Sequence, residues 1–234
     1  MIKVYPYDQL GHAELGWLTT RYHFSFAEYY NPERMGFGTL RVVNDDIVKA
    51  GAGFDIHPHR DMEIITFIRH GAISHKDSRG NKGRTEAGNV QVMSAGTGIY
   101  HSEFNLESED TSLFQIWIKP NSKGVNPRWD AAMFTNRKAD NVLPLLVSGR
   151  EEDEGRGALY IHQDAAIYAG QLGKDQTITQ PIKHQAYLLV STGEIDIQGD
   201  VIGEGDSVEI TGQDKVVIKA LTGAEVIVID VPAE

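Results

Sequence analysis

Residues 65–74 read ITFIRHGAIS, and residues 187–196 read YLLVSTGEID. Each is an apolar run, a glycine and a second short run, the pattern of two strands around a tight turn. Laying Gly71 on Gly193 offsets the copies by 122 residues. Further on, AGNVQVMSAG (87–96) matches EGDSVEITGQ (204–213), and Gly88 on Gly205 gives an offset of 117. The second copy is therefore five residues shorter in the intervening hairpin. A repeated all-β unit of this size predicts two stacked small barrels.

The surrounding sequence has the punctuation of an all-β protein. Alternating or apolar runs at Thr39–Val43, Glu63–Ile68, Gln91–Met93, Phe114–Ile118, Ala186–Val190, Glu194–Ile197, Val216–Ala220 and Val226–Val231 read as strands. Helical periodicity is scarce. DSRGN (77–81) suits a hairpin tip, GREEDEGRG (149–157) a charged surface loop, and KPNSKGVNPRWD (119–130) a connection between halves. We place one barrel at 1–125 and the other at 126–234.

Composition narrows the function classes. Of the residues, 41% are hydrophobic and 24% charged, ordinary for a globular protein. Cysteine is absent, which excludes disulfides and thiolate chemistry. No signal-peptide pattern or membrane-length apolar run is found, so we expect a soluble cytoplasmic protein without a membrane partner. A net charge of −11 with no basic cluster argues against direct nucleic-acid binding.

The histidines carry the chemistry. His57 and His59 stand one residue apart in HPHR, a spacing that puts both imidazoles on one face of a strand. His101 and Glu103 repeat the spacing. Two such strands supply three imidazoles and a carboxylate, a donor set that suits Fe(II), Mn, Ni, Cu or Zn and leaves open positions in octahedral geometry. Glu63 shares the parity of His57 and His59 and rivals Glu103 as the carboxylate. The repeat acts as an internal control: His57 and His59 fall on Thr179 and Pro181, and His101 and Glu103 on Ile218 and Ala220. Every candidate ligand is lost together, so we expect the C-terminal barrel to lack metal ligands. We read His70 and His75, beside a hairpin, as surface residues, and His12, His162 and His184 likewise. His23, in RYHFSFAEYY, belongs to a stretch that either packs in the core or walls a pocket; we expect the core.

Residues 51–63, GAGFDIHPHRDME, match the first cupin motif: Gly51, five residues, His57-x-His59, three residues, Glu63. The motif's next glycine comes one residue late, at Gly71. The second motif is partial, with Ser94-Ala95-Gly96 in place of Pro-x-Gly and His101 two residues further on than usual, while Asn105 keeps its spacing. Together with FSFAEYYNPERMGFGTLRVVNDD, HKDSRGN and SAGTGIYHSE, these departures resemble the pirin family of bicupins, densely over residues 10–120 and by architecture beyond.

The resemblance implies two cupin-type barrels (double-stranded β-helices) with one metal, in the N-terminal barrel. The implied ligands are His57, His59, His101 and Glu103, which leaves Glu63 off the metal although generic cupins use its equivalent. It implies one divalent transition metal per chain, Fe(II) first, with Mn, Ni, Cu and Zn compatible. Bacterial members resemble quercetin 2,3-dioxygenases, so the expected activity is opening of a flavonol ring. A planar polyphenol and dioxygen would be substrates, and Glu103 would accept the hydroxyl proton. A eukaryotic member acts as an iron-linked transcriptional co-regulator. The alternative is therefore a metal- or redox-responsive regulatory protein that docks a protein partner and has incidental dioxygenase activity. A metal-free structural bicupin is the third reading.

Overall fold

The computed structural model describes residues 1–134 and 136–233. Its strands are β1 (Ile2–Tyr5), β2 (Gly11–Glu14), β3 (Leu18–Tyr22), β4 (Leu40–Val48), β5 (Gly53–His59), β6 (Glu63–His70), β7 (Ala72–Asp77), β8 (Lys82–Glu86), β9 (Val90–Ser94), β10 (Ile99–Phe104), β11 (Thr111–Ile118), β12 (Arg128–Ala132), β13 (Leu145–Ser148), β14 (Leu159–Tyr160), β15 (Ala166–Leu172), β16 (Thr177–Pro181), β17 (Gln185–Thr192), β18 (Ile195–Ile197), β19 (Asp200–Ile202), β20 (Ser207–Ile210), β21 (Lys215–Ala220) and β22 (Ala224–Val231). The chain divides into two compact units. One takes the described residues of 11–135 and 159–163, the other those of 1–10, 136–158 and 164–234.

In the first unit a large antiparallel sheet runs β12-β9-β6-β11-β4-β3-β2, and a smaller one runs β5-β10-β7-β8. In the second, β1-β20-β17-β22-β15-β13 answers the large sheet and β16-β21-β18-β19 the small one. The repeat is thus built strand for strand: β6, Gly71 and β7 correspond to β17, Gly193 and β18. Central strands such as β22 (AEVIVIDV) are buried along their whole length, whereas β21 (KVVIKA) alternates exposed and buried residues, as a strand with one solvated face must. Gly71 adopts φ 76°, and a Cβ there would collide with the Thr111 hydroxyl, so the hairpin needs glycine.

The units are not the contiguous halves 1–125 and 126–234. Strand β1 pairs with β20, Ile2 opposite Ile210, and fills the slot that β12 fills beside β9 in the first unit. An unpaired β20 edge would expose a row of backbone groups, and the N-terminal strand covers it. The end of the 119–130 stretch is therefore strand, not connection.

The ladder also corrects the residue mapping. His57 pairs with His101, whereas Ile218, the counterpart of His101, pairs with Ile178 rather than Thr179. Ile178, Gln180 and Ile182 are buried, while Thr179 and Pro181 are exposed. A slip of one residue exchanges the two faces of a strand. The occupants of the four ligand positions are thus Ile178, Gln180, Ile218 and Ala220, none of which is a histidine or carboxylate. Ile178, Ile218 and Ala220 join a cluster in which Leu188, Val190, Ile195, Val208 and Val226 fill the interior of the second unit.

Candidate metal centre

In the first unit the two sheets enclose a cavity of about 630 Å³. Strands β5 and β10 bring the candidate ligands to it. In β10, Ile99, His101 and Glu103 are buried and alternate with Tyr100, Ser102 and Phe104, as the i, i+2 spacing predicts. Strand β5 is at the sheet edge, so Pro58 interrupts no ladder on its outer side. The two strands approach so closely at Gly53 that a Cβ would collide with the Glu103 carbonyl. A bulge between His101 and Glu103 shifts the register there.

The ring centroids of His57, His59 and His101 form a triangle with sides of 4.8, 4.5 and 4.9 Å. One ring nitrogen from each lies within 4.8 Å of the others. Burial first, then the neighbouring imidazoles, pushes His59 and His101 down to about 3, so both are neutral and offer lone pairs. His57 Nδ1 lies 2.6 Å from the Asp55 carbonyl, which can only accept, so the proton is on Nδ1 and Nε2 faces the cluster. His101 Nε2 is buried without a hydrogen-bond partner among the described residues. Three convergent imidazoles, two of them held neutral by burial and one with a buried unpaired nitrogen, fit a single divalent metal.

Glu103 belongs to a second grouping, with His75 and His101. Its Oε1 accepts from Gln91 Nε2 at 2.6 Å and Thr66 Oγ1 at 3.1 Å, and its Oε2 from Gln115 Nε2 at 3.0 Å. These donors hold the carboxylate in place and leave Oε2 a lone-pair direction for a metal or a proton.

Other residues stand differently from the sequence reading. His75 is not a surface residue. It is 3% exposed, stacks on Trp129 with centroids 5.1 Å apart, and its Nε2 meets Asp77 Oδ2 at 3.1 Å. His75-x-Asp77 has the same same-face spacing as the two candidate ligand pairs, a signal that marks it. His70 is on the surface as expected. Glu63 is wholly buried, accepts from Ser94 Oγ at 2.7 Å, and has its carboxyl pushed up by burial. It lies in neither grouping, and Ile64 lines the cavity instead. Parity counted from His59 fails because the chain turns at Asp61, φ 45°.

The aromatic stretch does both jobs. Tyr22 and Phe26 line the cavity, while His23 and Phe24 are buried away from it. Trp117 stands edge-on to His59 at 4.9 Å and to Phe26 at 5.4 Å, and Trp17 edge-on to Phe54 at 5.0 Å. The wall suits a flat aromatic ligand.

The pirin family model matches residues 4–118, and the model for a quercetinase C-terminal cupin domain matches residues 145–231. A pirin-like protein of Caulobacter vibrioides is 44% identical over 98% of this chain and 99% of its own. The chain belongs to the pirin family. Quercetin 2,3-dioxygenase of Escherichia coli is 40% identical over 99% of each chain. The crystal structure of the bacterial pirin YhhW of Escherichia coli in complex with nickel(II) superposes with TM-score 0.92 at 39% identity, covering all of both chains. The pirin assignment and the cupin-type all-β fold agree with the motif reading of residues 51–63 and 94–105. No described helix is long and apolar enough to cross a membrane.

Proposed function

We propose that this pirin is a metal-dependent dioxygenase that opens the ring of a flavonol such as quercetin. His57, His59, His101 and Glu103 hold the metal in this reading, and Fe(II) is the first ion to test, ahead of Ni, Mn, Cu and Zn. The observation that carries the proposal is the triangle of imidazoles lining an aromatic-walled cavity. The cavity volume falls in the roughly 300–1,000 Å³ range of small-molecule sites. The relative named quercetin 2,3-dioxygenase supports the substrate class.

When bound, the metal supplies a Lewis acid and a common docking point for the enolic oxygen and dioxygen. The chain's own residues do the rest. Trp117, Phe26, Tyr22 and Phe54 sandwich the flat ring system and exclude water. Glu103, held by Thr66, Gln91 and Gln115, takes the enolic proton on Oε2 as the substrate binds. Aerobic incubation with quercetin and each metal in turn tests the proposal. Metal-dependent loss of the flavonol absorbance supports it, and an unchanged spectrum with metal bound rejects it.

A second reading, a ligand-responsive protein that docks a partner, draws on Ile56 and Tyr100. They are 72% and 54% exposed on the outer faces of the strands that carry the histidines. Turnover orders of magnitude below typical enzymes, with a partner lost on Ile56→Asp, would favour it.

A further inference from the structure

The cavity has a second polar feature, on the large sheet. Asn44 and Asp46 are in β4, within the run VVNDDIV, and both line the cavity, while the intervening Asp45 pairs with Arg69. Asp46 is 2% exposed and Asn44 4%. Asp46 Oδ1 and Asn44 Oδ1 are buried without a hydrogen-bond partner among the described residues. Thr20 is the cross-strand neighbour of Asp46 on β3 and also lines the cavity. Burial, chiefly, pushes the Asp46 carboxyl up to about 7. A carboxylate so desolvated is costly unless a ligand group completes it.

The register sets this pair apart from Glu103. Asn44 is opposite Gln115, which donates to Glu103, and Asp46 is opposite Leu113, two residues further along the wall. That step is about 6.6 Å along a strand. Leu113 and Ile68 stand level with Asp46 across the sheet, Leu18 and Val48 continue the wall beyond it, and the four share one apolar cluster. Asp46 is thus the last residue of β4 to line the cavity, beside this apolar cluster.

We propose that Asp46, flanked by Asn44, is a specificity-determining anchor that binds a phenolic hydroxyl of the substrate away from the metal-side group. The identity of that ligand rests on the flavonol reading above. Glu103 grips the enolic end and Asp46 a hydroxyl on the distal ring. The cavity then selects polyphenols over flavonols that carry the enolic hydroxyl alone. The stability cost of an incompletely paired buried carboxylate is retained for binding.

The test uses metal-loaded full chain, the variants Asp46→Asn and Asp46→Leu, and two probes: quercetin, and 3-hydroxyflavone, which has only the enolic hydroxyl. For Asp46→Leu we expect KM for quercetin to rise about tenfold, one hydrogen bond to a charged group. We expect kcat, and both constants for 3-hydroxyflavone, to stay within about twofold, and Asp46→Asn to fall between. The melting temperature should hold or rise, because a desolvated carboxylate is removed. Equal losses on both probes, a lowered melting temperature or no change on either overturns the anchor. Anaerobic binding, read by quenching of Trp17 and Trp117, separates the two proposals. Asp46-dependent quercetin binding without turnover sinks the dioxygenase and keeps the anchor. Turnover indifferent to Asp46 does the reverse, and absence of both binding and turnover in the parent chain overturns both.

Discussion

His101 and His75 meet nitrogen to nitrogen, Nδ1 to Nδ1 at 3.4 Å. One of these atoms must carry the proton and the other the lone pair. Asp77 decides which. Although burial opposes it, hydrogen bonds from Asn81, His75 and the Arg79 backbone hold the Asp77 carboxyl below its usual range, so it accepts from His75 Nε2. The His75 proton is then on Nε2, its Nδ1 accepts from His101, and His101 Nε2 presents its lone pair to His57 and His59.

His75→Phe should keep the stacking on Trp129 and lose this relay. Removing the group that fixes a ligand's tautomer typically costs about 10- to 100-fold in metal affinity. Chelator competition on the variant and the parent measures it. An unchanged affinity would show that His101 is oriented by packing alone.

His23 gives a pH prediction away from the metal centre. Burial, and then Arg34, lowers it to about 3 from an unfolded value of 6.5. Its folded pKa is depressed, so the unfolded chain binds the extra proton. Its contribution is full above pH 6.5 and is lost as pH falls from 6.5 towards 3, at up to about 1.4 kcal/mol per pH unit. Asp46, raised to about 7, has the opposite slope between its unfolded pKa and 7. The effect must therefore be read as a difference between variants. Thermal melts of His23→Gln against the parent from pH 4 to 7 should converge as the pH falls, and parallel curves would refute the assignment.

The two same-face pairs, His57/His59 and His101/Glu103, were legible because strands alternate with a fixed period of two. The two-barrel repeat was legible because Gly71 and Gly193 punctuate equivalent hairpins. What failed was anything counted across a turn or an unequal loop. Glu63 changed face at Asp61, and Thr179 and Pro181 were one residue out of register. The Asn44–Asp46 pair was visible as polar residues inside an apolar strand, but that pattern does not say which faces of the strand are buried. His75 was masked by its place beside a hairpin tip.

Gly53→Ala probes the close approach of β5 and β10. The new Cβ would collide with the Glu103 carbonyl and the Phe104 backbone, neither of which can swing aside. The strand carrying His57 and His59 must then move off the strand carrying His101. We expect about 2 kcal/mol or more of destabilisation and a loss of metal affinity, measured by denaturant unfolding and by metal titration. Full metal affinity with lowered stability would mean that the ligand triangle tolerates strand displacement.

Glu103→Gln separates holding the metal from moving the proton. The carboxylate accepts three hydrogen bonds, whereas an amide has one acceptor oxygen and one donor group. With its oxygen towards Thr66 and Gln91, the new NH2 faces the Gln115 amide. Gln115 must flip, giving up its own contact with Thr66 Oγ1. We expect a stability cost of about 1–2 kcal/mol. The three imidazoles remain, so the variant should retain metal at reduced affinity. It has no anionic oxygen to take the enolic proton, so turnover should fall by about 100-fold or more, the usual contribution of a positioned base. Metal content by elemental analysis and flavonol loss on the same sample decide between the roles. Parallel loss of metal and activity would make Glu103 a ligand only, whereas unaffected turnover would pass the proton to another group.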